Sequence, residues 1–325
     1  MLCYPWAGHG GVIDAHLHFV TGAMLTRAAR QFPRPRRPQA ASATRGRRAE
    51  DGPATVPPEQ LARQWIEVLD RHRIDAGFFI AIGEGSEELA TLVRQHPSRC
   101  YAWGSVVDAT APGAASDVRR FPQWGLPGLK LYPPFQWFSP GNRAIYPVHE
   151  AAAALDLPVL FRFGITIAPT YDLTHASPLR LSVAARDFPD VSFGIAHCGA
   201  GFLREALMLA YHTDNIWTDT SGTNNWRLYT LGAPSLDDLF RDLARAYGPH
   251  RIVFGTDSTA PERYRADIVR EQQEVLERLE VDERDRAAIF TNNARRLLRL
   301  SPSVDYDGAP TERRTARATA ARGPT

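Results

Sequence analysis

Lysine is almost absent from this chain. The 325 residues include 38 basic side chains of lysine and arginine, and Lys130 is the single lysine among them. We interpret the excess of arginine as a compositional bias, which makes the one lysine conspicuous. A large charge of either sign is also missing, because the formal net charge is only +2. So small a net charge does not indicate a nucleic-acid partner.

Cysteine is scarce, and long apolar runs are missing. The three cysteines, Cys3, Cys100 and Cys198, form no Cys-x-x-Cys pair, which excludes a cysteine-based zinc motif and a dithiol redox motif. The sequence has no run of about 18 apolar residues, so we expect no membrane span. Residues 1–6 lack the basic and apolar regions of a signal peptide. We therefore expect a protein in a reduced, cytoplasmic setting.

Acidic residues are missing between Arg27 and Arg48, where eight arginines are interspersed with prolines and alanines. A nucleic-acid or membrane patch is one interpretation, but the prolines interrupt any amphipathic period. We predict a flexible insertion over 24–55, and deletion of residues from about 28 to 54 should leave the melting temperature nearly unchanged. The polar segment 301–325 is predicted to be a disordered tail.

Between residues 12 and 300, short apolar segments alternate with helical patterns eight times. The predicted strands cover 12–19, 77–82, 101–107, 128–132, 158–163, 191–197, 215–219 and 251–255. This alternation favours a parallel sheet that is buried on both faces, and eight units predict a (β/α)8 TIM barrel in one α/β domain. A doubly wound open sheet is the alternative. No Gly-x-Gly-x-x-Gly follows the first strand, which counts against a dinucleotide-binding version.

The first predicted strand contains the most informative motif, His16-Leu-His18. Residues i and i+2 of a strand point to the same face, about 6.6 Å apart, so two imidazoles at this spacing can converge on one metal ion. Two histidines on the face of an ordinary strand are the alternative, and the motif alone does not exclude it.

Polar residues end nearly every predicted strand. They are Asp14, His16, His18, Lys130, Tyr132, Arg162, His197, Asp219 and Asp257. Chemistry in a TIM barrel lies at the carboxyl ends of the strands, so these residues predict a site at one barrel mouth. Structural alternatives remain: Lys130 or Arg162 could pair with an aspartate, His197 could be a core histidine, and Asp257 could cap the next helix.

The order of motifs along the chain resembles the amidohydrolase-related metal-dependent hydrolases. The motifs are Ile13–His18, Gly128–Pro134, Leu157–Phe161, Ala196–His197, Thr218–Gly222, Phe254–Asp257 and Asn293–Leu297. The likeness is greatest to the branch that contains aminocarboxymuconate-semialdehyde decarboxylase. It covers residues 12–300 apart from the arginine-rich insertion. The family fold is the (β/α)8 barrel.

This resemblance implies roles for four residues. It implies that His16 and His18 are metal ligands, usually of zinc. Asp257 would be a further ligand or a carboxylate that transfers protons, and His197 would polarise the substrate or help to bind the metal. Zinc lowers the pKa of a bound water to about 7, and a carboxylate beside it can accept the proton.

The sequence departs from the family pattern at Arg162, where such families usually have a histidine ligand. A guanidinium has no lone pair to donate to a cation and would repel it. The divalent metal, which we expect to be zinc, would be weakly held, displaced toward His197, or absent. His175 is a possible substitute ligand. Arg162, Lys130, Tyr132 and His175 are the predicted substrate contacts.

The sequence thus predicts a metal-dependent hydrolase that acts on a small carboxylated or cyclic substrate. The alternatives are a non-oxidative decarboxylase of the same family, a metal-independent lactonase-like hydrolase, and a non-catalytic binding barrel. The expected partner is an anionic small molecule, held by Arg162 with a contribution from Arg227. A homodimer is possible, and neither nucleic acid nor a membrane is an expected partner.

Overall fold

The computed structural model describes residues 11–31, 56–81, 85–166 and 171–300. The first residues of the predicted insertion continue a helix, while residues 32–55 and 301–325 lie outside the described residues. The predictions of a flexible insertion and a disordered tail therefore remain predictions.

Eight strands follow one another around a barrel, each paired in parallel with the next. They are β1 (Val12–His18), β2 (Ile74–Ile80), β3 (Cys100–Ser105), β4 (Gly128–Leu131), β5 (Val159–Phe161), β6 (Phe193–Ile195), β7 (Ile216–Asp219) and β8 (Ile252–Val253). The last strand returns to the first, because Ala15 N donates to Phe254 O over 3.0 Å and His18 N donates to Ser258 O over 2.9 Å. The predicted (β/α)8 barrel is confirmed.

Helices follow the strands and cover the outside of the barrel. They are α1 (Gly22–Gln31), α2 (Pro58–Arg71), α3 (Ser86–Gln95), α4 (Ala114–Arg119), α5 (Pro133–Gln136), α6 (Tyr146–Leu155), α7 (Ser182–Asp187), α8 (Leu203–His212), α9 (Thr223–Trp226), α10 (Leu236–Tyr247), α11 (Ala266–Arg278), α12 (Glu283–Ala287) and α13 (Asn293–Leu297). A π-helical turn, 288–292, joins α12 to α13. Within the described residues, no helix has the length and apolar character needed to span a membrane.

Large side chains fill the barrel interior. Trp103 on β3 and Trp217 on β7 stack across it, with ring centroids 5.9 Å apart. Phe78 and Leu160 contribute to the same buried cluster. The interior is therefore a packed core below the carboxyl ends of the strands, and it leaves only the mouth for a site.

Strands β6 and β8 are among those that are shorter than the sequence predicts. The segment 191–197 is regular only over β6, and 251–255 only over β8. Both segments leave the sheet early because the residues that follow them turn sharply. His197 and Asp257 have φ angles of 57° and 60°, in the left-handed region. This turning places both side chains at the barrel mouth.

Candidate active site at the barrel mouth

His16 is anchored by a carboxylate on β7, which is separated from β1 only by β8. Its Nδ1 lies 2.8 Å from Asp219 Oδ2, and both side chains are buried. Burial lowers the pKa of His16, although the Asp219 charge opposes this, so the ring is neutral. A neutral ring that donates its Nδ1 proton to Asp219 keeps a lone pair on Nε2. That atom faces Asp257, whose Oδ1 is 3.8 Å away.

His197 lies in a left-handed turn directly after β6. Five consecutive residues, 197–201, have positive φ angles. The backbone N of His197 donates to Asp219 Oδ1 over 2.9 Å, and its ring Nδ1 lies 2.9 Å from Ser221 O. Donation from Nδ1 to this carbonyl again leaves the Nε2 lone pair available. Non-glycine residues in this region cost about 1–3 kcal/mol each, a strain that is typical of functional sites.

Asp219 at the end of β7 is the centre of this arrangement. Its Oδ1 also accepts from Ser221 N over 3.0 Å. Burial raises the pKa of Asp219, but the electrostatic interaction and the hydrogen bond with the His16 ring outweigh burial, so the net shift is downward. The sequence placed Asp219 at a strand end without assigning it a role. The structure shows that it orients both His16 and His197.

Asp257 completes the cluster. One ligand atom from each of His16, His197 and Asp257 lies within 4.8 Å of the other two, a geometry suited to a metal ion. Burial raises the pKa of Asp257, but nearby His197 and the hydrogen bond from His18 outweigh it and hold the pKa low. His18 Nε2 lies 3.2 Å from Asp257 Oδ1. His18 lies outside this group of three and borders Asp257, so its role as a metal ligand stays a prediction.

Lys130 and Tyr132 lie together at the end of β4. Lys130 is fully buried, and within the described structure its Nζ has no hydrogen-bond partner. Burial lowers the pKa of Lys130 to about 7. Its Nζ lies 5.3 Å from the centre of the Tyr132 ring, whose hydroxyl donates to Ala81 O over 3.3 Å. An unpartnered buried amine beside Asp219 and Asp257 suits an acceptor on a ligand.

Arg162 directly follows β5 and is engaged with its own loop. It donates to Phe163 O, and its Nη2 donates to Ile165 O over 2.8 Å. Its Cζ lies 5.3 Å from the centre of the Trp226 ring. Burial lowers the pKa of Arg162, and Asp257 is among the groups that oppose this shift. The guanidinium is thus a fixed positive charge near the cluster, with part of its donor capacity already used.

Two other predicted contacts have partners away from the cluster. His175 Nε2 lies 3.7 Å from Asp172 Oδ2 in the loop after β5. Arg227 Nη1 donates to Pro234 O over 2.9 Å. No contact of either side chain with the histidine cluster is found among the described residues.

A cavity of about 350 Å3 opens onto Asp257. Its lining residues are Ile165, Thr166, Gly222, Asn225, Trp226, Tyr229, Asp257 and Arg265. Sequence reasoning missed Trp226 and Arg265; their one available signal was their position in the segments that follow β7 and β8. Other cavities, of about 290 and 500 Å3, contain none of the predicted site residues.

Comparison with known proteins gives a family match over most of the chain. The family model described as amidohydrolase matches residues 13–300. No curated protein matches the chain.

Solved structures share the fold at low sequence identity. The 5-carboxyvanillate decarboxylase of Novosphingobium aromaticivorans, complexed with manganese and 4-hydroxy-3-methoxy-5-nitrobenzoic acid, is 14% identical with a TM-score of 0.64, over 90% of this chain and 97% of that one. A probable 2-pyrone-4,6-dicarboxylic acid hydrolase from Acinetobacter baumannii, with citric acid bound, is 14% identical with a TM-score of 0.58, over 89% of this chain and 100% of that one. At such identity the likeness carries the fold alone.

Proposed function

We propose, from the premise that this chain belongs to the amidohydrolase family, that it is a metal-assisted hydrolase of a small anionic, cyclic substrate. The observation that carries this proposal is the convergence of His16, His197 and Asp257 within 4.8 Å. Two imidazoles and one carboxylate form a donor set that zinc and other divalent metals accept. The manganese in the Novosphingobium decarboxylase supports a divalent ion in this fold.

The hydrogen bonds of the site fit a metal. Asp219 and Ser221 occupy Nδ1 of His16 and His197, so both rings offer Nε2, and a ligating histidine commonly has its second nitrogen held in this way. His16, His197 and Asp257 would hold the ion, with His18 beside them. A bound divalent ion supplies a Lewis acid that polarises a carbonyl group and favours deprotonation of water.

The protein residues supply proton transfer and substrate binding. Nearby His197 and the hydrogen bond from His18 favour the ionised form of Asp257, and this is the form that accepts a proton from water and later returns it to a leaving group. Arg162 places positive charge at the mouth, which suits a substrate carboxylate, and the buried Lys130 amine offers hydrogen-bond donors beside it. Tyr132 lies directly beside Lys130 and would border the substrate there.

Two related reactions stand as alternatives. A decarboxylase would use the same metal and the same anionic contacts. A metal-independent lactonase would use Arg162 as its electrophilic charge, and the arginine after β5, where the family pattern has a histidine, is the observation that favours this variant.

Metal-dependent turnover tests the proposal. The full chain is stripped with a chelator, reloaded with Zn2+ or Mn2+, and assayed for hydrolysis of 2-pyrone-4,6-dicarboxylate and for CO2 release from 5-carboxyvanillate. We expect metal-dependent hydrolysis, and a loss of about 10²-fold or more in Asp257→Asn. Asp237→Asn is the matched control, because Asp237 pairs with Arg278 on the surface.

The outcomes separate the alternatives. Metal-dependent CO2 release without hydrolysis would identify a decarboxylase. Hydrolysis that survives complete removal of metal would identify the metal-independent variant. A protein that retains no metal and acts on neither compound would contradict the proposed function.

A further inference from the structure

Gly222 brings the backbone close to two polar atoms that line the cavity. Gly222 follows β7 with a φ of +62°, and a Cβ atom built there would lie 2.9 Å from Trp226 Nε1 and 3.1 Å from Asp257 Oδ2. The indole N–H and the carboxylate oxygen therefore border the same space. Both atoms lie about 3 Å from the same point, so they are at most about 6 Å apart, and one ligand oxygen between them in the cavity can bridge that span with two hydrogen bonds.

Both atoms are free to bind a ligand. Within the described residues, Trp226 Nε1 forms no hydrogen bond, and it is not among the atoms shut off from solvent. The contacts of Asp257 with His16 and His18 are made by Oδ1. The second oxygen, Oδ2, faces the indole. The carboxylate thus has one oxygen at the histidine cluster and the other in the cavity.

The pair selects for one kind of group. The indole nitrogen only donates, and the ionised Asp257 only accepts. An atom that bonds to both must accept from an N–H group and donate to a carboxylate, as a hydroxyl oxygen does. A substrate carboxylate in this position would be repelled by the ionised Asp257, because neither group has a proton to donate. An ammonium group has no lone pair and could not accept a hydrogen bond from the indole.

The remainder of the cavity fits a ring with an anionic substituent. Its volume is about 350 Å3, and Tyr229 lines it beside Trp226. Arg265 lines it as well. The backbone N of Arg265 donates to Ser258 Oγ over 3.0 Å, and its Nη1 donates to Thr256 O over 3.3 Å, so the guanidinium is held at the end of β8. No carboxylate of the described residues is paired with it.

We propose that Trp226 determines substrate specificity: its indole N–H, together with Asp257 Oδ2, binds a hydroxyl group of a planar, anionic substrate beside Gly222. This inference rests on the proposed function and deepens it, because it assigns a recognition element to the same cavity. A water molecule could supply the same oxygen. The affinities of two acids that differ only by a hydroxyl group distinguish a substrate hydroxyl from water.

Isothermal titration calorimetry of the full chain with 4-hydroxybenzoate and with benzoate tests the inference. These probes differ only by the hydroxyl group. We expect the wild-type protein to bind the hydroxy acid about tenfold more tightly, a difference typical of a hydrogen bond to a charged group. Trp226→Phe keeps a ring and loses the N–H, so its preference should fall toward equal affinity. Trp124→Phe, in a separate cavity, is the control and should keep the preference.

A preference that survives in Trp226→Phe would overturn the inference. Equal affinities in the wild type would do the same, since water alone would then fill the space. Gly222→Ala should also abolish the preference. If Gly222→Ala does not fold, the result for Trp226→Phe is decisive. Metal content is measured in parallel. Bound metal without a hydroxyl preference overturns this inference alone, whereas a preference without metal or turnover contradicts only the proposed function.

Discussion

Single hydrogen bonds decide whether the two buried histidines can bind a ligand. A neutral imidazole has one donor and one acceptor nitrogen, and the partner of the first determines where the second faces. Asp219 provides that partner for His16, and Ser221 provides it for His197. Asp219 also accepts from the backbone N of His197. One carboxylate therefore sets the tautomer of one ring and the position of the other.

We predict that Asp219→Asn lowers metal affinity about 10–100-fold while the fold is retained. An amide group that turns its NH2 toward His16 donates to Nδ1, which moves the ring proton to Nε2 and removes the lone pair from the site. The measurement is titration of the chelated protein with Zn2+ or Mn2+. Asp237→Asn on the surface should bind as the wild type does, and equal affinity in both variants would refute the role of Asp219.

Lys130 gives a pH dependence of stability. Its pKa falls from 10.5 in the unfolded chain to about 7 in the folded protein because it is buried. Between these values the unfolded chain binds more protons, so the contribution of Lys130 makes stability rise with pH. The cost of burying the ammonium is fully present below pH 7 and disappears above pH 10.5.

Lys130→Met removes this contribution. We expect the free energy of unfolding of the wild type, relative to Lys130→Met, to increase from pH 7 toward pH 10, by at most about 1.4 kcal/mol per pH unit. Urea unfolding of both proteins at several pH values measures this difference, because ionisations common to both cancel. A difference that does not vary with pH would show that the amine is not neutralised by burial.

At the level of structural elements, the left-handed turn after β6 is locked to the loop after β5. Ile165 N donates to Ala200 O over 2.9 Å, and Gly164 N donates to Ala176 O over 2.9 Å. Gly164 has a φ of +86°, and a Cβ there would lie closer than 3.0 Å to Gly199 O. Glycine is required here for both the backbone conformation and the close approach.

We predict that Gly164→Ala destabilises the protein by about 1–3 kcal/mol, because the left-handed conformation and the clash are both imposed on alanine. Gly113→Ala is the matched control. It has a φ of −85° and open space around a Cβ, so its effect should be a few tenths of a kcal/mol. Denaturant unfolding measures both. Similar losses in the two variants would contradict the account of the turn.

The existence of the elements was predictable, and their ends were not. The strand pattern at 191–197 identified β6, because buried strands read as short apolar runs. Its regular part stops at Ile195 because His197 begins the left-handed turn. Such a turn depends on tertiary contacts, which no local periodicity encodes. The same holds at Asp257 after β8.

At the scale of the whole molecule, the barrel interior is held by contacts between distant strands. Trp103 and Trp217 are both buried and stacked in its centre. We predict that Trp103→Ala costs about 3–5 kcal/mol, because removal of a buried indole leaves a large cavity. Tyr211, which is 90% exposed, provides the control.

Tyr211→Ala should change the free energy of unfolding by less than about 0.5 kcal/mol, as is usual for surface substitutions. Urea unfolding followed by circular dichroism and by fluorescence measures both variants. A cost below about 1 kcal/mol in Trp103→Ala would mean that the interior repacks, and that the indole stack does not hold the barrel together.

The sequence by itself determined the fold, the family and the part of the molecule that carries the site. Alternating apolar strands and helices favour a closed parallel barrel, and the carboxyl ends of parallel strands share one edge, so the sequence predicted His16, His197 and Asp257 at one barrel mouth. Only the tertiary structure decided that Asp219 anchors His16, since their hydrogen bond joins residues 203 positions apart. It also decided that Trp226 in α9 lies near Asp257, because the course of the chain into α9 depends on the left-handed residue Gly222, which no period along the chain encodes.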